Sequence, residues 1–130
     1  MSGVVFGGRP GRIVTDPYAT EFNELDIAIF DLYRAQLAKG QNIIRGRTFR
    51  NCHLEGPSVM LARSGVTFDE TDFGPSGGDI ASLVLRPASS TRVVGAIPFE
   101  DCAFIGCRFF SVGFTGPEVF LQQVLALETR

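Results

Sequence analysis

Large apolar residues recur at every fifth position over two stretches of this chain. Ile44, Phe49, Leu54 and Val59 form one run, and Val94, Phe99, Phe104, Phe109, Phe114 and Val119 form the other. A second, smaller apolar side chain stands two places before several of them: Cys52, Ile97, Cys102, Cys107 and Val112. An α-helix repeats its faces about every 3.6 residues and a plain strand about every 2, so neither accounts for the spacing. A chain that turns at every fifth residue does, because both positions then point inward on each side of a coil. One coil cannot bury its own apolar side chains, whereas coils stacked on one another can.

The chain also matches itself at two offsets, both multiples of five. A shift of 50 superposes Phe49 on Phe99, Cys52 on Cys102, Leu54 on Phe104 and Gly56 on Gly106. A shift of 60 pairs Phe49 with Phe109, Leu54 with Phe114 and Gly56-Pro57 with Gly116-Pro117. Residues 60–93 interrupt the pattern, since Phe68 and Phe73 are five apart but out of phase with the rest.

This arrangement resembles that of pentapeptide-repeat proteins, a family built as a right-handed, four-sided β-helix. In that family a large apolar residue at the centre and a small one two places earlier fill the interior. Phe104, Phe109 and Phe114 match the centre, and Cys102, Cys107 and Val112 match the small partner. Phe replaces the usual Leu, and the Asp or Asn often found before the centre is not matched. The resemblance implies a mainly β fold, a small right-handed β-helix (solenoid) with coils over about 43–121.

The period before Gly40 is different. Phe22, Leu25, Ile29, Leu32 and Tyr33 fall on one face at spacings of three and four, which predicts an N-terminal α-helix over 21–39, packed on the coils or capping them. Thr20 is the expected N-cap. Glu21, Glu24 and Asp26 sit at the positive end of the dipole, and Arg34 and Lys39 at the negative end. Gly40 is the expected left-handed stop. Residues 1–20, rich in Gly and Pro, read as an irregular arm, leaving 21–130 as a single domain. Residues 118–130 form a C-terminal segment. It reads as a strand through Val119 and Leu121, or as a helix through Phe120, Val124 and Leu127.

Composition narrows the partners. The chain has 130 residues, 45% hydrophobic and 20% charged, which suits one compact domain. Twelve basic against 14 acidic side chains give a net charge of −2, without the basic excess of a nucleic-acid binder. No apolar run is long enough to predict a membrane span, and the first residues lack the basic start and apolar stretch of a signal peptide. Three cysteines, an odd number, point to reduced, buried thiols and a cytoplasmic protein.

Cys52, His53, Cys102 and Cys107 supply the ligand count of a Cys₃His zinc site. Adjacent side chains in extended chain point to opposite faces, however, so Cys52 and His53 separate. The cysteines also occupy the phase of Ile97 and Val112, the phase of small core residues. Neither a metal, a cofactor nor a catalytic set is expected. The same alternation separates a Cys–His dyad, and no G-x-S-x-G elbow occurs. Glu55, Asp69, Glu70, Asp72, Glu100 and Asp101 read as solvated surface.

The function expected from these observations is a non-catalytic structural or protein-interaction module that forms a homo-oligomer, with a dimer favoured. Its contact would use Val119, Phe120, Leu121, Val124, Leu125 and Leu127, or one face of the 21–39 helix. The alternative is a small enzyme or ligand-binding protein. Its site would lie on the 60–93 insertion, built from Asp69, Glu70 and Asp72 with Arg86 or Arg92. The turn-rich stretches 74–79 and 86–92 flank a strand expected around Ile80, Leu83, Val84 and Leu85.

Overall fold

The computed structural model of the protein describes residues 11–73, 84–85 and 95–126, with the backbone alone at 84, 85, 123, 125 and 126. The stretches 74–79 and 86–92, Val4–Phe6, Ile80, Leu83, Val94, Arg86, Arg92 and Leu127 lie outside the described residues.

The elements follow in the order β1 (Glu21–Asn23), β2 (Asp26–Ala28), α1 (Ile29–Leu37), β3 (Ile44–Arg45), β4 (Thr48–Arg50) and β5 (His53–Ala62). Then come β6 (Thr67–Asp69), β7 (Val84–Leu85), β8 (Ala96–Glu100), β9 (Ala103–Ile105), β10 (Arg108–Thr115) and α2 (Glu118–Ala126).

The five-residue turn has a local cause. The residue two places after each of seven core side chains is left-handed: Glu24, Gly46, Asn51, Glu70, Asp101, Gly106 and Ser111, with φ between 50 and 70°. Four of these are Gly, Asn or Asp, the types that adopt this conformation at least cost. Six of these corners end a short strand, and the seventh, Ser111, bends β10 at its register shift.

The expected single right-handed β-helix is corrected by the strand order. The strands form two parallel sheets, β1-β4-β9-β6 and β3-β8-β5-β10-β7, with β2 joined to the second through β5. A solenoid would stack each turn on the one before it. Here β9 lies between β4 and β6, β8 between β3 and β5, and β10 between β5 and β7. The later segment 96–115 is thus interleaved with the earlier segment 44–85. Both self-alignments are corrected with it. Phe49 pairs with Phe104 rather than Phe99 or Phe109, and Leu54 pairs with Phe109 rather than Phe104 or Phe114. Phe99 sits between Ile44 and Ala62.

Phe68 and Phe73, out of phase by number, are in register in space. Phe68 pairs with Phe104. The bridge between Asp72 and Arg108 brings Phe73 beside Phe109, with ring centroids 5.9 Å apart and planes 7° from parallel.

The predicted 21–39 helix is also corrected. Its first half is two strands: β1 pairs with β4 through Phe22 and Phe49, and β2 pairs with β5 through Ile27 and Leu54. Phe22 and Ile27 are themselves five apart, and the ladder of β4 and β5 offers their backbone better pairing than an isolated helical turn. The helix that remains starts after Ala28 with no side-chain cap, so Thr20 caps nothing. Gly40 is left-handed, with φ 78°. Of the two readings of the C-terminal segment, strand or helix, the structure has the helix, α2.

The core is a file of phenylalanines. Phe22, Phe49, Phe104 and Phe68 stack in that order, with centroids 5.1, 4.8 and 5.2 Å apart and planes 4–15° from parallel. Helix α2 covers the Phe68 end, where Phe120 lies 5.8 Å from the Phe68 ring and Leu121 and Val124 are buried beside it. Helix α1 is tied to the body by Arg47 and the buried Gln36. Arg47 donates to Gln36 Oε1 at 2.9 Å and to the Ala19 carbonyl at 2.9 Å, and Gln36 Nε2 donates to the Pro17 carbonyl at 2.8 Å.

Candidate functional site

Strands β2, β5 and β10 run side by side and turn Ile27, Leu54 and Phe109 into the core. Alternation sends their neighbours outward. Two rows of outer side chains result. One runs Asp26, His53, Arg108, Asp72, and the other runs Ala28, Glu55, Phe110. Asp26 is covered, held by Arg12 Nε at 2.9 Å. The rest of the face is open.

Two adjoining grooves mark this face. One of about 350 Å³ is lined by His53, Glu55, Asp72, Arg108 and Phe110. The other, of about 310 Å³, is lined by Ala28, Phe30, Asp31, Glu55, Gly56 and Pro57. Glu55 belongs to both. Phe30, from the first turn of α1, is 54% exposed on one flank, and Phe110 is 56% exposed on the other. Gly56 makes the centre of the face possible. A Cβ there would run into the Ser111 carbonyl where the β5–β10 register shifts between Phe110 and Val112.

The charges on the face are mixed. Arg108 approaches Asp72 at 4.0 Å, both well exposed. Asp31 lies on the Phe30 side and Arg108 on the Phe110 side, with Glu55 between.

The cysteines point inward, each just before a strand: Cys52 before β5, Cys102 before β9 and Cys107 before β10. Cys52, Cys102 and Cys107 are buried free thiols, whereas His53 faces outward, so the four potential zinc ligands do not converge. Among the described residues no group of three or more His, Cys, Asp or Glu is placed to hold a metal ion. Cys52 and Cys107 are neighbours on paired chain, next to the His53–Arg108 pair, and Arg108 N donates to the Cys52 carbonyl at 2.9 Å. The Cys107 thiol donates to the Phe49 carbonyl and the Cys52 thiol to the Phe22 carbonyl. The neighbouring Cys52 thiol lowers the Cys107 thiol to about 7 against the opposing effect of burial. The Cys107 thiol in turn, helped by burial, pushes Cys52 up. Cys102 stands apart, one residue before the row Thr48–Ala103–Thr67, and burial raises it.

No family model matches the chain, and no curated protein or solved structure matches it. Among the described residues, no helix is long and apolar enough to cross a membrane.

The other residues singled out from the sequence are scattered. Glu100 lies between Arg45 at 2.7 Å and Arg63 at 3.8 Å, away from the grooves. Asp69, Glu70 and Asp101 are exposed, the last two at left-handed corners. Among the described members of the insertion set, Asp69, Glu70 and Asp72, Asp72 alone lines these grooves. On α2, Phe120, Leu121 and Val124 are committed to the chain's own core, and Val119 is exposed; the side chain of Leu125 is outside the described residues.

Asp31, Arg108 and Phe110 were not singled out from the sequence, and Phe30 entered only as part of the 21–39 helix, one face of which was the alternative contact. A signal for Phe110 was present. It follows the core residue Phe109, a position that the five-residue turn points outward, so a ring there has no place in the core.

Proposed function

We propose that the protein is a non-catalytic protein-interaction module, pentapeptide-repeat-like in its core pattern, that pairs with a second copy of itself through the outer face of β2, β5 and β10. The observation that carries this is the pair of exposed rings, Phe30 and Phe110, on the two flanks of one groove system. A two-fold contact brings each patch against the other, so it needs a self-complementary face. This one has a ring and a carboxylate on one flank, Phe30 with Asp31, and a ring and a guanidinium on the other, Phe110 with Arg108. A two-fold axis near Glu55 sets Phe30 against the partner copy's ring and Asp31 against its guanidinium. Large exposed aromatic groups rimmed by charge are typical of such contacts.

Sedimentation equilibrium at micromolar concentration tests it. The parent should run at about twice 14.1 kDa, and Phe110→Asp, folded by circular dichroism, at the single-chain mass. Asp31→Arg and Arg108→Asp should each weaken pairing, and the two together should restore it. A parent that stays monomeric contradicts the proposal.

A further inference from the structure

Cys52 and Cys107 are the two thiols of this chain that stand side by side. Each precedes a residue of the pair His53–Arg108, on strands hydrogen-bonded there by Arg108 N to the Cys52 carbonyl. Paired strands lie about 4.8 Å apart, within the roughly 4.4–6.8 Å that a disulfide spans between its Cα atoms. The Cys107 sulfur lies 3.2 Å from the Phe49 carbonyl oxygen, and the Cys52 sulfur lies 3.3 Å from that of Phe22. The Cys107 sulfur is thus turned toward the chain that carries Cys52, and the Cys52 sulfur toward β1, so rotation of the Cys52 side chain about its Cα–Cβ bond brings the two sulfurs together. Cys102 has no such neighbour: its ladder positions are taken by Arg47 and Val66.

We propose that Cys52 and Cys107 form a reversible disulfide in response to hydrogen peroxide. The Cys107 thiolate attacks the O–O bond of the peroxide. One oxygen stays on sulfur as a sulfenic acid, and the other leaves as water after taking a proton. The Cys52 sulfur then attacks the Cys107 sulfur, the S–O bond breaks, and the released hydroxide takes the Cys52 proton and leaves as a second water. Two thiols are oxidised by two electrons, and one peroxide is reduced to two waters. The peroxide reaches the Cys107 sulfur by local opening at the three-residue strand β4, whose Phe49 carbonyl covers that sulfur at 3.2 Å. The link joins the segment led by β5 to the segment led by β10, the two that interleave.

The test uses the full chain, reduced and then treated with hydrogen peroxide in native buffer. Remaining thiols are blocked in denaturant, and the protein is mapped by mass spectrometry. The expected result is one free thiol of three, at Cys102, with a 52–107 disulfide inside one chain that dithiothreitol reverses. Cys102→Ser should form the same disulfide. Cys107→Ser should form none and keep Cys52 free. Three free thiols after a treatment that oxidises an unstructured thiol peptide would overturn the proposal. So would a disulfide that uses Cys102 or joins two chains. The parent map decides the matter even if a variant fails to fold.

Discussion

The rings of Phe49 and Phe104 lie 4.8 Å apart with planes 4° from parallel, at the middle of a four-ring file from Phe22 to Phe68. Both are fully buried. Neither ring has a gap to relax into, since each is stacked on both faces, so truncation leaves a cavity. Phe104→Ala should cost about 3–5 kcal/mol, and Phe104→Leu less. Urea denaturation measures both, and an unchanged midpoint for Phe104→Ala would contradict the packing described.

Gly56 and Gly46 separate two roles of glycine. Gly46 is a left-handed corner with open space around it, so Gly46→Ala should cost about 1–2 kcal/mol for backbone strain alone. Gly56 is not left-handed, but a Cβ there meets backbone atoms of Ser111 and Ser58. Gly56→Ala should therefore cost more, about 3 kcal/mol or above, because two strands must part. Paired denaturation curves decide the ranking, and equal costs would count against the close approach of β5 and β10.

The hydroxyl of Thr115 is buried without a hydrogen-bond partner among the described residues. Replacing it with an isosteric methyl removes an unsatisfied polar atom. Thr115→Val should raise stability by about 1 kcal/mol, seen as a higher urea midpoint with unchanged slope. A loss of stability would mean that the oxygen is satisfied in solution.

The Cys52–Cys107 pair makes stability depend on pH. Cys107 is lowered from 9.0 to about 7 in the folded chain. Between those values the folded chain binds fewer protons than the unfolded one, so stability rises with pH. This contribution is present above the ordinary thiol value and is lost as pH falls through about 7. Above the ordinary value, the raised Cys52 works in the opposite direction. From pH 6.5 to 8.5 the reduced parent should gain about 1–2 kcal/mol relative to Cys107→Ser, which does not titrate. Parallel slopes for the two proteins would place the Cys107 thiol outside this range.

Much of the core was legible in the sequence, and its connectivity was not. The five-residue spacing identified Phe49, Phe99, Phe104, Phe109 and Phe114 as inward, and all five are buried. It could not choose a register, because a period of five makes every offset of five look alike. Phe49 matches Phe99 and Phe109 in sequence as well as it matches Phe104, its actual partner. The choice is made by long-range pairing, which no local pattern encodes. Phe22 and Ile27 were drawn into a helix because Leu25, Ile29 and Leu32 complete a helical face as readily as a five-residue one. The left-handed Glu24 between them, two places after Phe22, marks the corner but is not a residue type that announces it. The grooved face stayed hidden for the same reason. His53, Glu55, Arg108 and Phe110 meet only once β10 is known to lie against β5.

Interleaving of the later segment with the earlier one is what places that face, and a cross-linking measurement tests it most directly. The outer row Asn23, Arg50, Ile105, Asp69 runs across β1, β4, β9 and β6. In a background with all three native cysteines replaced by serine, Arg50→Cys with Ile105→Cys places two thiols on adjacent strands. Arg50→Cys with Asp69→Cys places them two strands apart, about 9–10 Å, beyond the reach of a disulfide. Mild oxidation followed by non-reducing mass mapping should show an intrachain link in the first variant and none in the second. A link between positions 50 and 69, with none between 50 and 105, would mean that the turns stack in sequence order and would contradict the fold described.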